Sequence, residues 1–299
     1  MIVAVLLMGF TPPFAQEGTL DVLDGETLFE GGWLVTLGGQ QETREGLRRG
    51  TKRVDDPLDR RLTERTAALG VHYGLRYDVQ LSAIVPWIDR ALRLDDPTGP
   101  DRLSAHGPGD IAIVAKWRVR RWDDVGTATN LAVLAGLEMP TGADGERSGG
   151  ALLPPDLQPG SGSWDPSIGA AITHEPGRWR FNAAALYKRN GKGAQDYKAG
   201  DELFMELAAG NRFWLEPYPG PFMRLDALLR YRFQGRASDG GASLSGTDRD
   251  VLTAGATLAF RPRPSLDFQL FVEIPVWQDL GGTQLEKDVS VFFAIGFRM

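Results

Sequence analysis

The side chains with chemistry to offer are charged, and they recur at every second position. Lys116, Arg118 and Arg120 alternate with apolar neighbours, and Arg178 with Arg180, Arg224 with Asp226 and Arg230 with Arg232 keep the same spacing. A period of two puts such residues on one face of an extended chain, opposite an apolar face. Sorted along the strands predicted below, the charged face has two ends. One carries Lys116, Arg118, Arg120, Arg178, Arg180, Arg212, Arg224 and Arg298, offset in part by Asp78, Asp226 and Asp267. The other carries Glu64, Asp110, Glu138, Glu202, Glu206 and Glu273, with Lys188, Arg230 and Arg232 among them. Lining a water-filled tube, this set would create a field along the axis and discriminate among charged solutes. The competing expectation is pairing across strands that fills the interior, with Glu206 opposite Arg230. In a narrow barrel, partial filling is at least as good an expectation as an open aqueous pore.

Bond-breaking chemistry finds little support. The three histidines, His72, His106 and His174, fall by an inner turn, in an outer loop and in another inner turn. None is placed with a serine and an acid on adjoining strands at one level, as nucleophilic hydrolysis requires. His72 is expected to pack in the interior. The acidic run Asp55, Asp56 and Asp59 lacks a calcium-loop spacing and reads as a solvated loop. Gly145 to Gly150 lacks the strand and helix context of a phosphate cradle. No catalytic, metal or cofactor site is therefore expected. A net charge of −6 without a basic stripe argues against nucleic acid. The absence of cysteine suits passage through an oxidising compartment.

The elements that would position these charges are strands. In Val289–Met299 every second residue, Val289, Val291, Phe293, Ile295, Phe297 and Met299, is apolar. Eleven further segments share this rhythm: 27–39, 62–73, 76–89, 110–121, 127–139, 164–173, 178–188, 201–213, 222–234, 249–260 and 266–278. Starting after the first, the connections alternate long and short. An up-and-down barrel predicts this, because successive connections then fall on opposite sides of a membrane. Open sheet edges cannot sit in lipid, so the sheet must close. The expectation is an all-β, twelve-stranded antiparallel transmembrane barrel over residues 16–299, in the bacterial outer membrane. Residues 1–15, with the apolar run Ile2–Gly9, read as a secretory signal too short to span. Tyr73, Tyr77, Trp117, Trp179 and Phe181 are expected near the inner rim and Trp33, Trp87 and Trp277 nearer the outer, as interfacial belts.

Three strands approach their outer loops through a proline: Ile84-Val85-Pro86-Trp87, Leu137-Glu138-Met139-Pro140-Thr141-Gly142 and Glu273-Ile274-Pro275-Val276-Trp277. With Gly107-Pro108-Gly109-Asp110-Ile111, these pieces resemble the outer-membrane family labelled putative MetA-pathway of phenol degradation, over nearly the whole mature chain. The resemblance implies a twelve-stranded outer-membrane barrel that passes small, often aromatic or otherwise apolar, compounds. Proline removes a ladder donor, so Pro86, Pro140 and Pro275 are expected either to end pairing or to loosen the rim and open a lateral gap. The expected partners are outer-membrane lipid and lipopolysaccharide, the barrel-assembly machinery during insertion and a small-molecule solute. The rival readings are a non-conducting structural or surface-binding barrel and, further off, a lipid hydrolase.

Overall fold

Alternation of apolar and polar side chains is realised as a wall of antiparallel strands. The computed structural model describes residues 22–95 and 102–299, so the expected signal, residues 1–15, lies outside the described residues. The wall strands, numbered in chain order, are β1 Trp33–Gly50, β2 Arg61–Arg76, β3 Val79–Arg93, β4 Ile111–Asp124, β5 Thr127–Met139 and β6 Asp165–Pro176. They continue with β7 Trp179–Lys188, β8 Glu202–Leu215, β9 Phe222–Gln234, β10 Arg249–Arg263 and β11 Leu266–Arg298. Each pairs with its sequence neighbours, and β11 returns to β1, closing the sheet. The connections alternate as the sequence predicts, from the tight turn at Val125-Gly126 to the long stretch 140–164. No described helix is long and apolar enough to cross a membrane; in this fold strands do the crossing.

Two expectations about strands need correction. Eleven continuous runs form the closed wall, with Lys52–Val54 and Arg102–Pro108 as short strands outside it, where twelve strands were predicted. The difference lies in β11, 33 residues long, which takes in the predicted eleventh and twelfth strands and the supposed loop at Gly281-Gly282. Its first part pairs with β10, its second part with β1, and the Arg298 N–H donates to Ser265 O at 3.0 Å, so its two ends lie side by side. The first strand is also displaced. It was predicted over 27–39 with a charged loop beyond, yet β1 continues to Gly50, because inward-facing Glu42 and Arg44 pair with each other at 2.6 Å inside the barrel. Trp33 consequently starts β1 at the short-turn end, bonded to Met299 O at 2.9 Å and 4.5 Å from the Tyr73 ring, rather than near the outer rim.

The outward side chains of this wall are apolar. Leu37, Leu69, Ile113, Ile168, Leu207, Leu229, Ile274 and Phe293 are all exposed, Ile168 at 66%. Burying each in a core would yield about 1.5–3 kcal/mol, so a water-soluble fold would not leave so many outside; a surface bathed in lipid does. At about 3.3 Å per residue, the 18 residues of β1 span roughly 60 Å. Even at a ~45° tilt this exceeds the ~25 Å apolar band of such barrels. β1 therefore extends beyond the apolar zone.

Candidate functional site: a lumen closed at both ends

The inward face sets buried charged and polar side chains beside apolar ones such as Ile84, Val114, Leu134 and Phe271, and the chain itself fills part of the space it encloses. Ahead of β1, residues 22–32 turn inside the barrel. Gly31 N–H donates to Gly74 O at 2.8 Å and Gly74 N–H to Gly32 O at 2.9 Å, fixing the segment at the short-turn end. From there Leu28 N–H donates to Gln80 Oε1 at 3.0 Å, Gly25 N–H to Thr173 Oγ1 at 2.9 Å and Asn182 Nδ2 to Leu23 O at 3.0 Å. Val22, 1% exposed, ends the described part among Ile84, Val114, Leu134, Leu186 and Phe204. Two acids tie this inner segment to the wall: Asp24 meets Lys116 Nζ at 2.6 Å and Arg180 at 2.9 Å, and Glu26 meets Arg180 at 2.6 Å. Glycine is required at 25, where a Cβ would stand 2.2 Å from Asn130 O. Gly25→Val is therefore expected to expel the inner segment and make it susceptible to added protease, whereas wild type resists.

Above the inner segment the predicted charges come together as shared ion pairs. Glu206 accepts from Arg230 at 2.7 Å, as the register predicts. Arg230 also lies 3.5 Å from Glu273, and its guanidinium covers the Phe271 ring at 4.2 Å. Glu273, 1% exposed, further accepts from Thr253 at 2.9 Å and contacts Lys287 and Arg232. Lys287 reaches Glu42 at 2.8 Å. Near the long-loop end Lys188 lies 3.3 Å from Glu202 and 3.7 Å from Glu138. At the short-turn end Arg224 pairs with Asp226 at 2.8 Å, Arg298 with Asp267 at 2.8 Å and Arg212 with Glu175.

The long-loop end has its own closure. Residues 140–164 fold over it, and their Leu153 and Leu157 join a buried cluster with Leu47, Leu62, Leu92, Ala105 and Leu285. Arg90, 3% exposed, holds this cap by donating to the carbonyls of Asp156 and Gln158 while paired with Glu64 at 2.6 Å. Asp110 holds it again, accepting from Gly142 N–H at 2.8 Å, Ser161 N–H at 2.6 Å and Ser161 Oγ at 2.7 Å. Burial pushes the Asp156 carboxyl up to about 6, against the pull of the neighbouring Tyr197 hydroxyl and of Arg249, Arg90 and Arg44. Arg90→Ala removes the donor to two cap carbonyls, so amide exchange at Leu157 and Gln158 is expected to rise with the rest of the barrel unchanged.

Not every predicted residue lines this interior. Arg120 is exposed, over the Trp122 ring at 5.7 Å, because a bulge between Arg118 and Arg120 breaks the alternation. Arg178 is exposed in the turn before β7, Asp78 lies in the turn before β3 beside Arg76 at 3.3 Å, and Arg118 donates to Tyr77 O at 2.6 Å on the same rim. Pro86 is buried within β3, where its carbonyl accepts Gly109 N–H at 2.9 Å as the partner of β3 changes from β4 to Arg102–Pro108. Pro140 follows the last residue of β5, and Pro275 precedes a bulge at Val276. Pairing resumes beyond Pro86 and Pro275, so no lateral gap opens at either. His72 is fully buried, its Nδ1 2.9 Å from Ser82 Oγ and its Nε2 3.4 Å from Thr36 Oγ1, out of reach of lipid. His174 contacts Thr129 Oγ1 at 2.8 Å on the outer surface. Asp24, Arg44, Arg90, Arg249 and Lys287 were not singled out from the sequence, since each lies in a stretch that reads as loop, linker or strand end.

No curated protein matches the sequence. Among solved structures, an outer-membrane channel from Pseudomonas putida F1 is similar over 94% of this chain and 100% of its own, with a TM-score of 0.70 at 15% identity. The β domain of the Bordetella autotransporter BrkA is similar over 90% of this chain and 100% of its own, with a TM-score of 0.50 at 10% identity. At these identities the likeness concerns the fold, which is that of bacterial outer-membrane barrels. The sequence itself carries a family signature over residues 70–279, well over half of its length, and the chain belongs to the family described as Putative MetA-pathway of phenol degradation.

Proposed function

We propose that this protein is a channel of the bacterial outer membrane that passes small solutes, aromatic or otherwise apolar, by passive movement through its charged lumen. One observation carries the reading: two segments of the chain, 22–32 and 140–164, lie over the interior and are tied to the wall by hydrogen bonds and ion pairs to Lys116, Arg180, Arg90 and Asp110 as well as by apolar contacts. The polar ties can be exchanged for water or solute when such a segment moves. Membership of the phenol-degradation family and the fold shared with an outer-membrane channel support the same reading. The short-turn end, which holds the carboxyl terminus, is the periplasmic side, and residues 1–15 are the export signal that brings the chain to the assembly machinery. Lipid and lipopolysaccharide then cover the outward apolar face. In this reading β11 counts as two spans and the barrel as twelve-stranded, a view supported by Arg298 N–H bonding to Ser265 O and by Lys287 N–H bonding to Gln278 Oε1 at 2.8 Å.

A second reading, a non-conducting barrel that binds partners at its surface, is favoured by the presence of closures at both ends. Uptake by living cells separates the two. A strain lacking the gene should take up radiolabelled phenol or benzoate more slowly than the same strain complemented with it. Equal initial rates for a panel of small aromatics would remove the channel reading.

A further inference from the structure

The carboxylates around the outer lumen are shared among several cations. Glu42 serves both Arg44, at 2.6 Å, and Lys287, at 2.8 Å. Glu273 serves Lys287, Arg230 and Arg232, and Glu206 serves Arg230. Among the described residues Arg249 makes no ion pair: its Nη2 donates to the neutral Gln284 Oε1 at 3.0 Å, and its Nε is shut from solvent without a partner. A buried guanidinium donor left open is unfavourable unless something fills it.

Arg44, Arg232, Arg249 and Lys287 all border one cavity of about 50 Å³, together with Glu42, Glu202 and Phe204. The Arg232 guanidinium lies over the Phe204 ring, 5.6 Å from its centre, so cationic donors and an aromatic surface share one wall. A second cavity of about 40 Å³ adjoins the first at Gln234 and leads under the cap, past Asp156 and Tyr197. At their present size the two cavities hold a few waters each. Asp156 of the cap lines the second cavity, and Arg249 and Arg44 are among the charges that pull on its carboxyl.

We propose that the outer lumen is a binding site for small aromatic carboxylates, with Arg249 as the principal donor, Phe204 as the ring-facing surface and Asp156 as the resident charge that the solute displaces. The inference rests on the reading of the lumen as a solute path and narrows it to a chemical class. An arginine fork matches a carboxylate with two parallel N–H donors, which a neutral alcohol of the same shape cannot use. Displacement of Asp156 would also loosen the cap over the site, so that the solute opens its own way in.

The test uses the purified full chain in lipid nanodiscs, with benzoate and its neutral counterpart benzyl alcohol as probes in equilibrium dialysis. Wild type should bind benzoate more tightly than benzyl alcohol. Arg249→Gln should weaken benzoate by roughly tenfold or more, the scale of a lost charge-assisted contact, and leave benzyl alcohol unchanged. Asp156→Asn, which removes the competing charge, should tighten benzoate. Opposite shifts from these two variants would not arise from general damage to the fold, and a preserved heat-modifiable gel shift checks that both barrels close. Equal affinity for the two probes, benzoate binding unaltered by Arg249→Gln, or no benzoate binding at millimolar concentration would overturn the inference. In each of those cases facilitated uptake of a neutral aromatic by cells would leave the channel reading standing; bound benzoate without facilitated uptake would do the reverse.

Discussion

Deleting residues 22–30 is expected to convert a barrel that conducts poorly into one that gives discrete, ohmic current steps in a planar bilayer. The inner segment occupies the lumen from the short-turn end to the level of Val22, held to the wall among the described residues by its link into β1, hydrogen bonds, ion pairs and apolar contacts. Its removal also leaves a characteristic charge behind. Asp24 and Glu26 leave with it, while Lys116 and Arg180 remain on the wall. Arg212 retains Glu175 and Arg224 retains Asp226, so the uncovered stretch carries excess positive charge. The new current should therefore prefer chloride over potassium, and the reversal potential in a salt gradient should have the corresponding sign. A deletion variant that closes as a barrel yet conducts no better than wild type would show that the inner segment is not what blocks the lumen.

The second large effect concerns stability. Glu273→Ala is expected to cost about 3–5 kcal/mol, the usual range for removing one partner of a buried ion pair. Glu273 is 1% exposed and lies at the centre of contacts with Lys287, Arg230, Arg232 and Thr253. Alanine leaves Lys287, Arg230 and Arg232 without the carboxylate they share. Glu273→Gln keeps the shape and some hydrogen bonds, so its cost should be smaller, about 1–3 kcal/mol. Urea unfolding in lipid vesicles, followed by the gel shift between folded and unfolded forms, measures both. An alanine variant as stable as wild type would mean that the shared carboxylate is not required to hold the outer lumen together.

What could be read in the sequence was whatever a period of two encodes. The outward residues of β2 to β10, the alternation of turns and loops, and cross-strand pairs such as Glu206 with Arg230 follow from spacing alone. The outer part of β1 did not, because Gln40 to Gly50 alternates charge with charge and carries no apolar stripe. Its order comes from Glu42 pairing with Lys287 of β11 inside a closed wall, a relation between strands distant in sequence. Arg120 was misplaced for the converse reason: a one-residue bulge inverts the alternation locally, and no residue type announces it. The two closures were the least legible. Residues 22–32 and 140–164 have no period, and their placement depends on Asp24, Arg90 and Asp110 finding partners that only the assembled barrel brings near. The same holds for Arg249, whose position at the head of a strand gave no sign that it would border a cavity.

Which side of the wall meets lipid can be measured directly, because the chain contains no cysteine. Single cysteines placed at Met205, Leu207, Val291, Phe293 and Phe297, all exposed, should react in vesicles with a lipid-dissolved thiol reagent and resist a charged aqueous maleimide. Cysteine at Val125, 99% exposed in a short turn, should show the opposite preference. Cysteines at the intervening buried positions Phe204, Glu206, Phe292 and Ala294 should resist the lipid-dissolved reagent. Aqueous labelling of the first set at the rate of Val125 would contradict a barrel whose oily face lies in a membrane and whose solute path runs inside.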